Sequence, residues 1–417
     1  MALKVIVSSS DRSSIDKQVS LHRSLPQTEY VVGLRKFFDI NGPNGRHPCL
    51  VLEVAGPNLE SLLLRRPEFR LGEAWERRFT KSFSGNALRD ILMGLDVLHS
   101  RSIVHGDLHF GNIVAAIERI NANATSEERL RQSSTQGNPL RRLDGKKDLW
   151  APSYLIEPAP LYQEVSLSSH PLVKITDLGS GRLCSYLFDG YVHRFPCAHT
   201  AMLAFLENNP PEKTVTPVAL RAPETVLGLP IGRGIDIWCV GCLIFEFLTG
   251  HPLFVGLESL EGNAYDEQTN DEHLIQLSEV LGPLPSEIFS KWRRGDKYFG
   301  PDGTRLAGDD ELDRGQADED FDENHETKSA SKGFDDAIAD DDASDLDEFS
   351  SDGSVPLAAP GRFGSLETQF HLKKLDGVDK DEEQEIMKLL RWIFEYESSN
   401  RPSAREILGH PWLASYS

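Results

Sequence analysis

The chain has 417 residues, of which 39% are hydrophobic and 26% charged, enough apolar material for a large core or two lobes. No cationic segment followed by an apolar run occurs early in the sequence, so we expect no secretory signal. No apolar stretch approaches the roughly 18 uninterrupted residues of a membrane span. Basic residues are not clustered, so direct nucleic-acid binding is not expected.

The net charge of −21 is concentrated in one segment. Residues 309–352 contain 19 acidic residues against three basic ones and are poor in aliphatic side chains. This composition predicts a disordered, solvated insert. The alternative is that the segment attracts basic peptides or competes with them.

The five cysteines form no repeated pair of the kind that holds zinc. Cys239 and Cys242 have CxxC spacing, but they lie within IDIWCVGCLIFEFL, an apolar pattern typical of a buried helix. Small core residues are therefore favoured over a metal or redox pair. We expect a protein of a reducing compartment, cytoplasmic, nuclear or both.

Hydrophobic periodicity predicts a few strands followed by helices. Predicted strands are ALKVIV, YVVGLRKFFDI, HPCLVLEVAG and LVKITDLGSG, and the second and third are joined by a Gly/Asn turn. Predicted helices are SIDKQVSLHRSL (weakly), NLESLLLRR, GNALRDILMGLDVLHS, DIWCVGCLIFEFLTG, DEHLIQLSEVLG and two patterns in EEQEIMKLLRWIFEYESSNRPSAREILGHPWL.

The segment IVHGDLHFGNIV, residues 103–114, follows the second of the stronger helices and has the residues that phosphoryl transfer requires. That reaction needs a positioned nucleotide and metal, and a carboxylate that orients and deprotonates the attacking hydroxyl. Asp107 is placed to be this base. Asn112 offers an amide oxygen and Asp177, at the end of a later strand, a carboxylate, both ligands that Mg2+ prefers.

HGDLHFGN resembles the catalytic loop of protein kinases, and DLG at residues 177–179 stands where those enzymes have D-F-G. The same string also resembles small-molecule kinases of the aminoglycoside phosphotransferase and choline kinase kind. Downstream, LRAPETVLG, DIWCVGCLIFEFLTG and SSNRPSAREILGHPWL resemble protein kinases alone. This resemblance implies that Asp236 anchors the catalytic loop and that Arg401 pairs with Glu224.

Within that family the chain is most similar to SR-protein kinases, especially in TVTPVALRAPETVLGLPIGRGIDIW. The resemblance implies an α+β, bilobal fold with an incomplete small-lobe sheet and a large, mainly helical lobe. It also implies a serine/threonine kinase, related to mRNA processing, that uses ATP and Mg2+ and acts as a monomer on Arg/Ser-rich or otherwise basic proteins.

The resemblance also assigns a nucleotide site. ALKV resembles the V-A-I-K strand, which would place Lys4 on the phosphates and Ala2 above the adenine. Val114 would lie below the adenine. The hinge would consist of Leu52, Glu53 and Ala55, which would act through backbone groups.

Several positions depart from the family pattern. The chain begins at the strand of Lys4, so we expect no Gly-rich loop over the phosphates and an exposed sheet edge. Gln18 stands where a Glu would pair with Lys4, so we expect Lys4 to be less firmly held. Gly106 replaces the Arg that usually binds a phosphorylated activation loop, so we expect activation-loop phosphorylation not to be the switch. His109 replaces a Lys; either it contacts the γ-phosphate when protonated, or it is an ordinary loop histidine. These departures keep open a pseudokinase, a binding scaffold with little or no turnover.

The expected organisation has four parts. They are a partial kinase small lobe and hinge at 1–56, a large lobe at 57–302 with inserts at about 115–170 and 182–203, an acidic disordered insert at 303–360, and C-terminal helices of the large lobe at 361–417. Deleting 182–203 would leave a compact activation segment. We therefore hypothesise that this piece comes from a retained intron or a mis-predicted exon boundary.

Overall fold

The structure is a computed structural model of the chain. It describes residues 1–8, 12–42, 45–65, 70–71, 78–117, 137–139, 154–156, 161–165, 170–179, 185–188, 191–194, 204–211, 216–255, 263–306 and 363–416. Most of the predicted insert at 115–170, most of 182–203 and the acidic segment from 307 onward lie outside the described residues.

The small lobe is an antiparallel three-stranded sheet with one helix against it. The sheet order is β1 (Ala2–Val5), β3 (Gly45–Leu52), β2 (Leu34–Gly42). Helix α1 (Arg12–Ser24) turns Ile15, Val19 and Leu21 inward. Strand β2 begins later than its apolar run predicts, because the preceding residues pair with the strand that contains Ile175 instead.

The large lobe begins with α2 (Leu59–Arg65) and α3 (Lys81–Ser100). Helix α3 starts four residues before its apolar pattern predicts, because Thr80 caps it by accepting a hydrogen bond from the N–H of Phe83. Its buried face contains Leu88, Ile91, Leu92, Leu95 and Leu98.

The remaining strands are short. They are β4 (Arg70–Leu71) and β5 (Arg78–Phe79) before α3, and after it β6 (Ile103–Val104), β7 (Ile113–Ala115), β8 (Gly137–Pro139), β9 (Tyr154–Ile156), β10 (Val173–Ile175), β11 (Ser185–Phe188), β12 (Tyr191–Arg194) and β13 (Phe205–Leu206). Strands β7 and β10 pair antiparallel, with Val114 opposite Lys174. This pairing sets the loop that contains Asp107 beside Asp177.

The core of the large lobe is built around α5 (Gly234–Thr249), a helix that is buried along almost its whole length. Cys239 and Cys242 lie inside it as free thiols, in agreement with the core interpretation. The other helices are α4 (Pro223–Val226), α6 (Asn263–Leu281), α7 (Ser286–Phe289), α8 (Leu366–Lys373), α9 (Lys380–Ile393), α10 (Ala404–Leu408) and α11 (Pro411–Ala414).

The predicted fold class is confirmed: a small lobe with a sheet precedes a large, mainly helical lobe. None of the helices in the described part of the chain is long and apolar enough to cross a membrane.

Candidate active site

The loop that contains Asp107 is attached to the core through one buried carboxylate. Asp236, in the first turn of α5, accepts hydrogen bonds from the backbone N–H groups of His105 and Gly106, both at 2.8 Å. His99, at the end of α3, lies 2.9 Å from the same carboxylate through Nε2. The contact implied by the family resemblance is therefore present, and it fixes the backbone just before Asp107.

Asp107 is 1% exposed, and its two carboxylate oxygens have different surroundings. Oδ2 accepts a hydrogen bond from Asn112 Nδ2 at 3.0 Å, and the same amide donates to the Asp107 carbonyl at 2.9 Å. Oδ1 is buried and has no hydrogen-bonding partner within the described residues. A buried acceptor without a partner is costly, so this oxygen is suited to receive a hydroxyl group of a bound substrate.

Asp177 follows β10 and faces the small lobe. Its backbone has φ +63°, a left-handed conformation that is uncommon for residues other than glycine. Its Oδ1 lies 2.8 Å from Nζ of Lys4, and both side chains remain partly exposed. The structure thus joins the two lobes across the predicted phosphate site.

A cavity of about 220 Å³ opens between the lobes at this point. It is lined by Lys4, Gln18, His22, Val32, Leu52, Gly111, Asn112, Thr176 and Asp177. One ammonium, one carboxylate and one amide form a donor set that fits a phosphate chain with Mg2+. Lys4, Leu52, Asn112 and Asp177 are thereby brought together as predicted, while their roles stay predictions.

Gln18 does not hold Lys4. In the described residues the hydrogen bond of Lys4 Nζ goes to Asp177, whereas the Gln18 amide packs on Gly179, where any added Cβ would overlap it. The missing side chain of Gly179 therefore leaves room for the Gln18 side chain of α1. One helical turn on, burial and the nearby Lys4 charge lower the pKa of His22 to about 4. His22 is thus neutral near pH 7.

The residues predicted to surround the adenine lie on adjoining elements. Ala2 is opposite Leu52 across β1 and β3, and Val114 is 9% exposed in β7. The Glu53 side chain pairs with Lys174. The N–H of Ala55 has no backbone or side-chain acceptor among the described residues, so it is available to a ligand. Only Leu52 of this group lines the cavity itself.

His109 is buried beside Asp107 and does not line the cavity. Its Nδ1 accepts a hydrogen bond from the N–H of Gly111 at 3.0 Å, and its Nε2 lies 3.4 Å from Oδ2 of Asp107. The ring therefore faces the predicted base. The predicted γ-phosphate contact stays a prediction.

The predicted pair in the large lobe is also present. Arg401 donates to both carboxylate oxygens of Glu224, at 2.6 and 2.8 Å, and its side chain is 1% exposed. The guanidinium also lies over the ring of Trp238, 4.9 Å from its centroid. This bidentate contact connects the end of the chain to the segment that follows the site.

Two contacts of the loop were not predicted. Thr216 donates through Oγ1 to the carbonyl of Gly106 at 2.5 Å, and His105 Nε2 lies 3.0 Å from the carbonyl of Thr176. Thr216 and Gly106 are 110 residues apart, so no local pattern indicates their contact. The contact of His99 with Asp236 had only a weak indication in the sequence: His99 lies one helical turn after Leu95, on the buried face of α3.

Comparison with known proteins agrees with this geometry. A protein kinase domain model matches residues 165–413, more than half of the chain, including Asp177, Glu224, Asp236 and Arg401. The serine/threonine-protein kinase SRPK of Physarum polycephalum is 27% identical over 317 residues, which are 73% of this chain and 65% of that protein. The chain therefore spans slightly less than two thirds of the length of this relative.

Shorter and more distant matches point the same way. The serine/threonine-protein kinase SKY1 of Saccharomyces cerevisiae is 42% identical over 83 residues, 20% of this chain and 10% of that protein. A crystal structure of a kinase domain matches with a TM-score of 0.54 and 18% identity, and covers 99% of this chain and 87% of that one. At that identity the structural likeness shows the fold alone. The anchored loop, the Arg401–Glu224 pair and the family match together show that the chain belongs to the protein kinase family, and it is SR-protein-kinase-like.

Proposed function

We propose that this chain transfers the γ-phosphate of ATP, with Mg2+, to serine or threonine hydroxyls of protein substrates that are Arg/Ser-rich or otherwise basic. Asp107 is the base, Asn112 and Asp177 hold the metal, and Lys4 holds the phosphates. Ala2 and Val114 lie above and below the adenine. Leu52, Glu53 and Ala55 form the hinge.

The observation that carries this proposal is the free Oδ1 of Asp107, a buried carboxylate oxygen close to the metal-binding candidate Asn112. A general base must reach the proton that it removes. Within the described residues no donor makes a hydrogen bond to Oδ1, so this oxygen can accept one from the substrate hydroxyl. Asn112 itself lines the cavity with Lys4 and Asp177, so the phosphates and the hydroxyl would meet there.

The preference for basic substrates is supported by the resemblance to SR-protein kinases and by the net charge of −21. An acidic protein attracts basic peptides at low ionic strength. We also propose that the chain acts as a monomer and is located in the cytoplasm, the nucleus or both. The location is supported by the free thiols of Cys49, Cys239 and Cys242, which fit a reducing compartment.

The test is transfer of radiolabelled phosphate from ATP to an Arg/Ser-repeat peptide by the full chain. Asp107→Asn keeps the shape of the side chain but removes the base, and we expect a loss of about 10²- to 10⁴-fold. A peptide with every serine replaced by alanine should receive no label, and one with every arginine replaced by alanine should be a poorer substrate. Equal, background labelling by the wild type and Asp107→Asn would refute the enzyme and support a pseudokinase.

A further inference from the structure

The ring of His109 lies between the backbone of Gly111 and the carboxylate of Asp107. Because Nδ1 accepts the N–H of Gly111, it carries no proton, and the neutral ring has its proton on Nε2. Nε2 lies 3.4 Å from Oδ2 of Asp107. His109 is 8% exposed and Asp107 1%, so this approach is shielded from water. The contact thus sets an N–H group beside the carboxylate of the predicted base.

Gly111 is what allows the ring to fold back in this way. A Cβ added there would lie 2.6 Å from Cε1 and 2.9 Å from Nδ1 of His109, too close for either atom. The turn Phe110–Asn112 that contains Gly111 is itself fixed, because Phe110 packs edge-on against Phe247 with ring centroids 4.7 Å apart. The position of the ring is therefore determined by the core.

We propose that His109 is a positioning residue for Asp107, an inference that rests on the proposed kinase function. Asn112 Nδ2 donates a hydrogen bond to Oδ2, and His109 Nε2–H lies 3.4 Å from the same oxygen, where it can donate a second one. This leaves Oδ1 for the substrate hydroxyl. Contacts of this kind are often long in a free enzyme and shorten when substrate binds. His109 therefore acts through Asp107 and not by contacting the γ-phosphate.

The kinetic test compares two substitutions in the full chain. His109→Leu removes the donor, and because a misplacement of about 1 Å costs about 100-fold in rate, we expect kcat to fall about 10- to 100-fold with the KM for ATP within about twofold. His109→Gln keeps an N–H donor for Asp107 and a carbonyl for Gly111, and should recover kcat to within about fivefold of the wild type. Thermal unfolding of each variant checks that the fold is intact.

Two kinetic outcomes would overturn the proposal. One is an unchanged kcat in a folded His109→Leu variant. The other is a rise in the KM for ATP without loss of kcat, which is the effect expected from a lost γ-phosphate contact. Failure of His109→Gln to recover activity, with its unfolding temperature unchanged, would also count against a role through hydrogen bonding.

A second measurement does not depend on activity. Nitrogen NMR of histidine-labelled protein distinguishes the two neutral tautomers, and the resonance lost in His109→Gln identifies His109. We expect the Nε2–H tautomer, with a shift in this resonance in Asp107→Asn. If the wild type is inactive but shows this signature, the kinase function fails and the contact stands. A proton on Nδ1, or no response to Asp107→Asn, would refute the positioning role.

Discussion

Replacing Arg401 with leucine should unfold the large lobe at a much lower temperature. Arg401 donates to both oxygens of Glu224 and also to three backbone carbonyls, those of Gly234, Glu395 and Tyr396. Leucine would leave Glu224, whose side chain is 5% exposed, as a buried charge without its partner. Breaking such a pair costs about 3–5 kcal/mol, which corresponds to a fall in Tm of roughly 6–20 °C.

Circular dichroism during heating measures this change, and two further variants test the cause. Arg405→Leu breaks a pair with Asp96 whose arginine side chain is 79% exposed, and Tm should stay the same within error. Arg401→Leu combined with Glu224→Leu removes both charges and should recover most of the loss. If the single variant Arg401→Leu loses less than about 1 kcal/mol, or if the double variant is no more stable than it, the penalty does not come from an unpaired buried charge.

Three other perturbations test separate parts of the molecule. Gln18→Glu should tighten Mg2+–ATP binding about fivefold in calorimetry, because a charged partner for Lys4 leaves Asp177 free for the metal; weaker binding would contradict this. Burial lowers the pKa of His273 to about 4, below its unfolded value, so stability is lost as pH falls from about 6.5 to 4. His273→Gln should remove about 3 kcal/mol of that loss in urea unfolding at about pH 7 and about pH 4. Gly250 has φ +75°, and a Cβ added there would overlap the side chain of Arg78. Gly250→Ala should therefore lower the free energy of unfolding by more than the roughly 1–2 kcal/mol of backbone strain. The control is Gly303→Ala, at the same φ with no atom near the added Cβ, which should show the backbone strain alone.

The fold was predictable because several motifs occur in the right order along the chain. HGDLHFGN alone left two classes of kinase open, and RAPE, DIW and Arg401 decided between them, as the family match confirms. Strand and helix ends were predicted less well. Helix α3 begins at its Thr80 cap and β2 after the bridge of Val31 to Ile175, since capping and pairing, and not hydrophobic period, determine where elements end.

The detailed site was only partly predictable. The family pattern placed both Lys4 and Asp177 at the phosphate and metal site. It did not indicate that Lys4 would pair with Asp177 instead of Gln18. This pairing depends on the backbone φ of Asp177 and on the packing of Gln18 against Gly179. The orientation of His109 depends on a hydrogen bond to Gly111, two residues away. Such contacts are set by torsion angles, which residue spacing does not specify.

The two N–H groups held by Asp236 have a consequence for how the protein opens. The amide protons of His105 and Gly106 bond to a side chain on the buried helix α5, not to a neighbouring loop. Their exchange with solvent deuterium therefore requires the loop to separate from a buried side chain, and it should be much slower than exchange from a loop whose amides face solvent. Slow deuterium uptake at residues 105 and 106 would show that this loop shares the protection of the core to which Asp236 attaches it.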